Sequence, residues 1–409
     1  MLSFAVLRVI GIKSYGELVK IAYVHSAYTR NLPSGENSVV EAQCDALRAE
    51  GHDVIALVAE TDELSSRPLY KLKSFTRVAL GLGKSPTKII KDFNPEFVII
   101  HNLFPNFGSH WIKKLKKFDK NLRICVFIHN FRMICASGDL LRNGKHCDKC
   151  LKSNPINSLF FRCYRGSFFY TFPLYLSQIL GVSKRNILDK VDCIFFLSHV
   201  TRNEFRKVID FKSETRILPN FVPESVEVNF NTRKKIDNGK WVVVARLTVE
   251  KGVAKLVSNW PSELSLDIFG MGPELGKIQE LIKDKPNIVL KGLGSPIELG
   301  KILPNYFAAV HPSICIEVAP LTVLEFHRAG LPILYTGNNF SPFENEVPIA
   351  GLVLDRYDST SICEAAKVIS QNYNDYSQSS RSSYLNYYSQ KSWLLKFQSA
   401  LEQIQNSEM

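Results

Sequence analysis

Short apolar runs alternate with stretches of helical period along most of the chain. Short, mostly apolar runs lie at residues 20–26, 52–58, 97–101 and 122–129, and a helical pattern lies over residues 39–50. Runs of this length predict strands buried on both faces, so the rhythm predicts βα units around a parallel sheet. The pattern resumes at 193–197 and 215–218. Pro219, Pro223 and the polar stretch 229–239 then break it, which predicts an interdomain linker. A second set follows at 241–245, 264–269, 288–291, 308–312, 333–335 and 351–354. The expectation is an α/β protein of two doubly wound domains, residues 20–222 and 223–383, each binding ligand at the carboxyl ends of its strands. Residues 384–404 predict an amphipathic helix with Trp393, Leu394, Phe397 and Leu401 on its apolar face, so residues 384–409 are expected to pack back on the first domain. Residues 1–19 fall outside the pattern and predict an extension without chemistry.

Composition narrows the class. A chain of 409 residues, 45% apolar and 22% charged, is globular and suits two cores better than one. No apolar run reaches the roughly 18 residues a spanning helix needs, and the nearest is broken by Arg162, Arg165 and Pro173. Nine cysteines without a short, even framework point to a reducing, cytoplasmic setting. The net charge of +12 implies an acidic partner. It is concentrated between Arg67 and Arg123, with 13 basic residues against three acidic, and Lys113, Lys114, Lys116 and Lys117 fall in one predicted helix. These lysines are either a solvated face or a surface for anionic lipid head groups at the inner face of the membrane.

The sharpest candidate chemistry lies in the second half. The strand at 242–245 runs into Arg246, Lys251 and Gly252 and then a helix, which places two cations beside helix N-terminal amides and suits a diphosphate. After the strand at 308–312 comes Glu317-Val-Ala-Pro-Leu-Thr-Val-Leu-Glu325, two glutamates bracketing a helix start, with Gly330 and Pro332 ending the helix. Each element alone also reads as ordinary surface charge.

Together and in this order they resemble the group-1 glycosyltransferases, glycosyltransferase family 4, whose GT-B fold sets two Rossmann-like domains face to face across a cleft. The resemblance extends to the Pro33-Ser34-Gly35-Glu36-Asn37 loop, Ala49-Glu-Gly-His-Asp53, His101-Asn-Leu-Phe-Pro105, His129-Asn-Phe-Arg132, Pro219-Asn220 and Phe269-Gly270-Met-Gly272. It implies a retaining transfer from a UDP- or GDP-linked sugar to a lipid-linked or glycan acceptor in surface polysaccharide or lipopolysaccharide synthesis. Arg246 and Lys251 would neutralise the leaving diphosphate in place of a metal, consistent with the absence of any D-x-D pair. Glu317, with the backbone running from Val318 through Ala319 and Pro320 to Leu321, would face the donor sugar, and Glu325 the ribose hydroxyls. Gly270 and Gly272 would admit the nucleotide closely, Gly35 would offer amides to the phosphate, and His129 would line the acceptor side and share a proton with the incoming hydroxyl. His101 has the same form. Phe326-His327-Arg328 stand where the family has small residues, which leaves the base unassigned.

Cys135, Cys147, Cys150 and Cys163 lie in one polar insert, the middle pair spaced C-x-x-C. Four thiolates can close a structural zinc site, and free thiols or a redox pair are the other readings. Cys44, Cys125, Cys193, Cys315 and Cys363 read as core or filler. The aromatic stretch from Leu159 to Tyr175 reads either as a core helix or as an amphipathic edge on a membrane. A GT-B-fold sugar-nucleotide epimerase and a zinc-containing nucleic-acid-binding protein are the competing functions. The second leaves the paired glutamates without a role, so nucleic acid is not an expected partner.

Overall fold

The computed structural model describes residues 18–28, 35–224, 239–336, 350–354, 356 and 358–407. The expected extension, apart from Leu18 and Val19, the Pro33-Ser34 pair and nearly all of the polar linker stretch lie outside the described residues. The first domain contains strands β1 (Lys20–Ala27), β2 (Asp53–Glu60), β3 (Phe97–Asn102) and β4 (Arg123–Ile128), a small hairpin of β5 (Leu141–Arg142) and β6 (Lys145–His146), then β7 (Cys193–Phe196) and β8 (Glu214–Ile217). The second contains β9 (Trp241–Val244), β10 (Leu266–Phe269), β11 (Ile288–Gly292), β12 (Ala308–His311), β13 (Ile333–Thr336) and β14 (Gly351–Leu354).

Each domain forms a six-stranded sheet, in the orders β2-β1-β3-β4-β7-β8 and β11-β10-β9-β12-β13-β14. All pairings in both are parallel. Chain order therefore reverses direction between β1 and β3 in one sheet and between β9 and β12 in the other. At such a switch point two crossover helices leave on opposite faces and open a crevice at the strand carboxyl ends. Central strands such as Phe97–Asn102 and Arg123–Ile128 are buried along almost their whole length because helices cover both faces.

The terminal segment departs from one continuous helix. Tyr384–Tyr388 is a wide turn, Ser389 is extended and its side chain accepts from the Ser392 amide, and the helix proper runs Gln390–Asn406. Trp393, Leu394, Phe397 and Leu401 join the core of the first domain, with Trp393 against Phe221 at 5.1 Å between ring centres. The core-helix expectation for the aromatic stretch is not met: of the helix Phe168–Ile179 only Thr171 and Leu174 are buried. In the helix His110–Phe118, Lys113, Lys114 and Lys117 are exposed, whereas Lys116 pairs with Asp192 at 2.9 Å. Cys44, Cys125, Cys193 and Cys315 are buried, and Cys363 is half-buried.

Candidate active site

β9 delivers the chain to Arg246, and a short turn over Val249–Lys251 ends at Gly252 before the helix Val253–Asn259. Gly252 has φ +70°, and a Cβ there would meet the Pro312 carbonyl oxygen at 2.1 Å. Only glycine lets this turn lie against the end of β12, and that approach brings Lys251 to Glu317. The Lys251 ammonium pairs with Glu317 Oε1, and Ser313 Oγ donates to the same oxygen. Burial opposes the charge on Glu317, but Lys251, His311 and these two hydrogen bonds outweigh it, and the carboxyl is lowered to about 2. Lys251 is raised, its own burial being overcome by Glu317. Arg246 projects beside this pair, its guanidinium 3.7 Å from Glu250 and its side chain 57% exposed.

Val318 to Leu321 carry the chain from Glu317 into the helix Leu321–Arg328, whose N-cap Pro320 supplies no side-chain acceptor. The Val323 amide turns back to the Pro320 oxygen at 3.1 Å, and no side chain of the N-cap competes for the amides before it. Val318 is buried in the core of the first domain, and Ala319 packs against it. Leu321 faces Gly35, whose Cβ position lies 3.2 Å from Leu321 Cδ1. Two helix N-termini, Gly35–Ala49 and Leu321–Arg328, thus approach across the cleft, and their dipoles make it attractive to an anion. Glu325, two turns' worth of residues beyond Glu317, is raised to about 7 by burial, partly countered by Arg328.

Gly270 and Gly272 serve a close approach within the second domain. A Cβ at Gly270 would lie 1.9 Å from the Ala245 oxygen, and one at Gly272 would lie 2.4 Å from the Leu247 oxygen. Their lack of side chains lets the loop after β10 pack on the segment that carries Arg246.

On the facing domain, β1 and β3 pair with a register shift after Val24: Val24 meets Ile100, and His25 meets Asn102. His101 is the extra residue, and such a bulge re-aims a side chain. Its Nδ1 lies 2.7 Å from His129 Nε2, and the rings stack at 4.8 Å. His25 stands edge-on to His101 and shares a 2.9 Å hydrogen bond with Asn37 Oδ1. Burial, with a smaller contribution from His25, lowers His129 to about 3. Burial thus favours its neutral form near pH 7.

Sequence reasoning assigned no role to Ser313, His311, Glu36 or Arg132. Ser313 and His311 had no motif to flag them. Glu36 and Arg132 lay inside the quoted stretches: burial raises Glu36 to about 8 against the opposing pull of Arg132, and the Arg132 guanidinium stacks 4.6 Å from Phe104 and 5.0 Å from Tyr164. The insert cysteines come together, and all four line one small cavity. Burial and then the neighbouring sulphurs raise Cys150 to about 11 and Cys163 to about 12.

No family model and no curated protein sequence matches the chain. Solved structures do match. A glycosyltransferase from Rickettsia africae ESF-5 is similar at 15% identity and TM-score 0.59, over 96% of this chain and 100% of that one. Sucrose-phosphate synthase from Thermosynechococcus elongatus is similar at 15% identity and TM-score 0.66, over 94% and 99%. HepE of Anabaena, solved with UDP and glucose, is similar at 11% identity and TM-score 0.58, over 94% and 100%. With its two parallel six-stranded sheets meeting at their switch points, the chain has the GT-B fold of two Rossmann-like domains across a cleft.

Proposed function

We propose that the chain is a nucleotide-sugar-dependent, retaining glycosyltransferase of the group-1 type that works without a catalytic metal. The carrying observation is the Lys251–Glu317–Ser313 arrangement, with Arg246 beside it, at one switch point and opposite the Gly35 helix and the His101–His129 pair at the other. Bond cleavage at a sugar nucleotide builds charge on the departing diphosphate. Arg246, Lys251 and two helix N-termini answer that charge where a metal would otherwise act. Glu317, ionised and fixed by two donors, is suited to accept hydrogen bonds from donor hydroxyls, and Glu325 to hold the ribose. No carboxylate is assigned as a covalent nucleophile; the leaving phosphate takes the acceptor proton. A UDP-linked donor is favoured by the HepE complex with UDP and glucose, whose fold this chain shares.

The acceptor is proposed to be a lipid-linked glycan of surface polysaccharide assembly, met at a cytoplasmic membrane face. Among the described residues no helix is long and apolar enough to cross a membrane. Phe169 is 85% exposed and Phe160 76%, close in sequence to Arg162 and Arg165. The helix Phe168–Ile179 packs through Phe172 on Phe75 of the helix Tyr70–Leu80, where the N-cap Leu69 and Leu72 are exposed beside Lys71 and Lys73. Exposed aromatics mixed with cations suit an interface of anionic head groups.

Donor turnover over a panel of UDP- and GDP-sugars, with EDTA and with or without added Mg2+, tests the reading. Expected are saturable release of the nucleoside diphosphate, stimulation by acceptor glycolipid and indifference to EDTA. Epimerised free sugar nucleotide as the product would replace transfer with epimerisation.

A further inference from the structure

The cleft does not use the four cysteines of the insert, and the insert lacks the means to hold itself. Its regular structure is the β5–β6 hairpin and the four-residue helices Lys149–Lys152 and Asn157–Phe160. Between Cys135 and Cys163 the buried apolar side chains are Ala136 and Leu140. Burying a leucine contributes about 2 kcal/mol, whereas ordering each residue costs about 1–2 kcal/mol. Leu140, Asn143 and Arg162 also hold positive φ, which adds strain that something must offset.

What lies at the centre of the segment is a cavity of about 20 Å³ whose wall includes Cys135, Cys147, Cys150 and Cys163. That is room for one ion or one water. All four thiols are free. Ser158 Oγ, in the same wall, is buried and has no hydrogen-bond partner among the described residues. Main-chain bonds fix the approach: the Cys147 amide donates to the Leu140 oxygen at 2.8 Å and the Cys163 amide to the Ser158 oxygen at 3.0 Å. Two cations stand close by over one ring, Arg142 at 4.1 Å and Lys149 at 5.3 Å from the centre of Phe161. A tetrathiolate site carries about two net negative charges, and such neighbours offset them.

We propose that Cys135, Cys147, Cys150 and Cys163 bind one Zn2+ as a closed structural site. Among the described residues no three His, Cys, Asp or Glu side chains stand in metal-holding geometry, so closure requires the sulphurs to turn further into the cavity they already line. Four soft thiolates select zinc over magnesium or calcium. Each Sγ–H releases its proton to solvent as its Zn–S bond forms, and the metal keeps its oxidation state. With four protein ligands the ion has no open position for substrate, so its work is to hold the insert. That matters at the cleft because the hairpin turn reaches the opposite domain: a Cβ at Gly144 would lie 3.9 Å from Ile314 Cδ1, in the loop that leads to Glu317.

The test is metal content of the full chain purified without chelator or affinity metal, together with the visible spectrum after Co2+ exchange. About one zinc per chain and the strong absorption of tetrahedral cobalt thiolate are expected, with both lost in Cys147→Ser/Cys150→Ser and retained in Cys363→Ser. Because the double variant could fail to fold, the wild-type stoichiometry and cobalt spectrum decide the matter by themselves. Absence of bound metal after Zn2+ is offered to the reduced protein, an octahedral cobalt spectrum, or four thiols that react freely in the zinc-loaded protein would each overturn the proposal. These readouts do not depend on transferase activity.

Discussion

Lys251 and Glu317, 66 residues apart in the chain, form a largely buried ion pair that Ser313 completes from the same loop as Glu317. Gly252 makes the pair possible, since any side chain there would strike the Pro312 carbonyl. The cationic corner and the acidic loop are therefore one device, and its parts respond differently to substitution.

Lys251→Ala leaves a carboxylate buried without its partner. Its side chain is 18% exposed and that of Glu317 11%, so breaking the pair should cost about 3 kcal/mol as well as the diphosphate contact. Arg246→Ala removes a largely exposed cation whose paired carboxylate, on Glu250, lies 3.7 Å away. Its melting temperature should match the wild type while turnover falls about 10²-fold, as for loss of one group that stabilises developing charge. Glu317→Ala should cut turnover by a similar factor. Calorimetry beside a donor-turnover assay separates these outcomes, and near-normal turnover in both Arg246→Ala and Glu317→Ala would sink the assignment.

Gly252→Ala and Gly144→Ala both place a Cβ on a backbone at positive φ, +70° and +71°. At Gly144 the nearest atom is 3.9 Å away, so the cost is conformational, about 1 kcal/mol. At Gly252 the contact of 2.1 Å forces the turn off Pro312. Gly252→Ala should therefore lose more stability than Gly144→Ala in denaturant unfolding and should lower donor affinity as well.

Glu36 and His129 give opposite pH signatures. Glu36 is raised to about 8 from an ordinary 4.5, so the folded state holds a proton that the unfolded state has released between those values. Its contribution is complete below about 4.5 and is lost as pH rises towards 8. His129 is lowered to about 3 from 6.5, so its contribution is complete above 6.5 and is lost as pH falls towards 3. Thermal melts from pH 4 to 9 should show Glu36→Gln gaining on the wild type as pH rises. His129→Gln should flatten the acid limb. Parallel curves for Glu36→Gln and wild type would contradict the buried, protonated state.

Phe160→Ser and Phe169→Ser remove exposed rings and should leave the melting temperature within about 1 °C of wild type. Co-sedimentation with vesicles rich in phosphatidylglycerol should drop several-fold, and more so at high salt, where the attraction of the cations is screened. Unchanged sedimentation of the double variant would remove this surface from the membrane contact.

The two-domain plan was legible because a parallel sheet covered on both faces needs unbroken apolar strands, and runs such as Phe97-Val-Ile-Ile and Ile124-Cys-Val-Phe-Ile carry that demand openly. Arg246, Lys251 and Glu317 stood out because their spacing follows strand ends. Ser313 and His311 did not, since a serine or a histidine at a strand end has no pattern of its own until the partner it faces is known. The helix Phe168–Ile179 was left with two readings for a related reason: its aromatics fill most of the turns, and composition does not say which face the rest of the chain leaves uncovered.

By itself the sequence determined local matters: strand and helix order, the glycines that allow tight approach, and the residue types available for phosphate, sugar and metal. Those follow from periodicity and backbone sterics, which act over a few residues. Only the tertiary structure decided that Gly35 faces Leu321, that the bulge at His101 turns it onto His129, and that four cysteines share one cavity. The first of these depends on how two sheets of different strand order present their switch points to each other, and all three join parts of the chain that no local pattern relates.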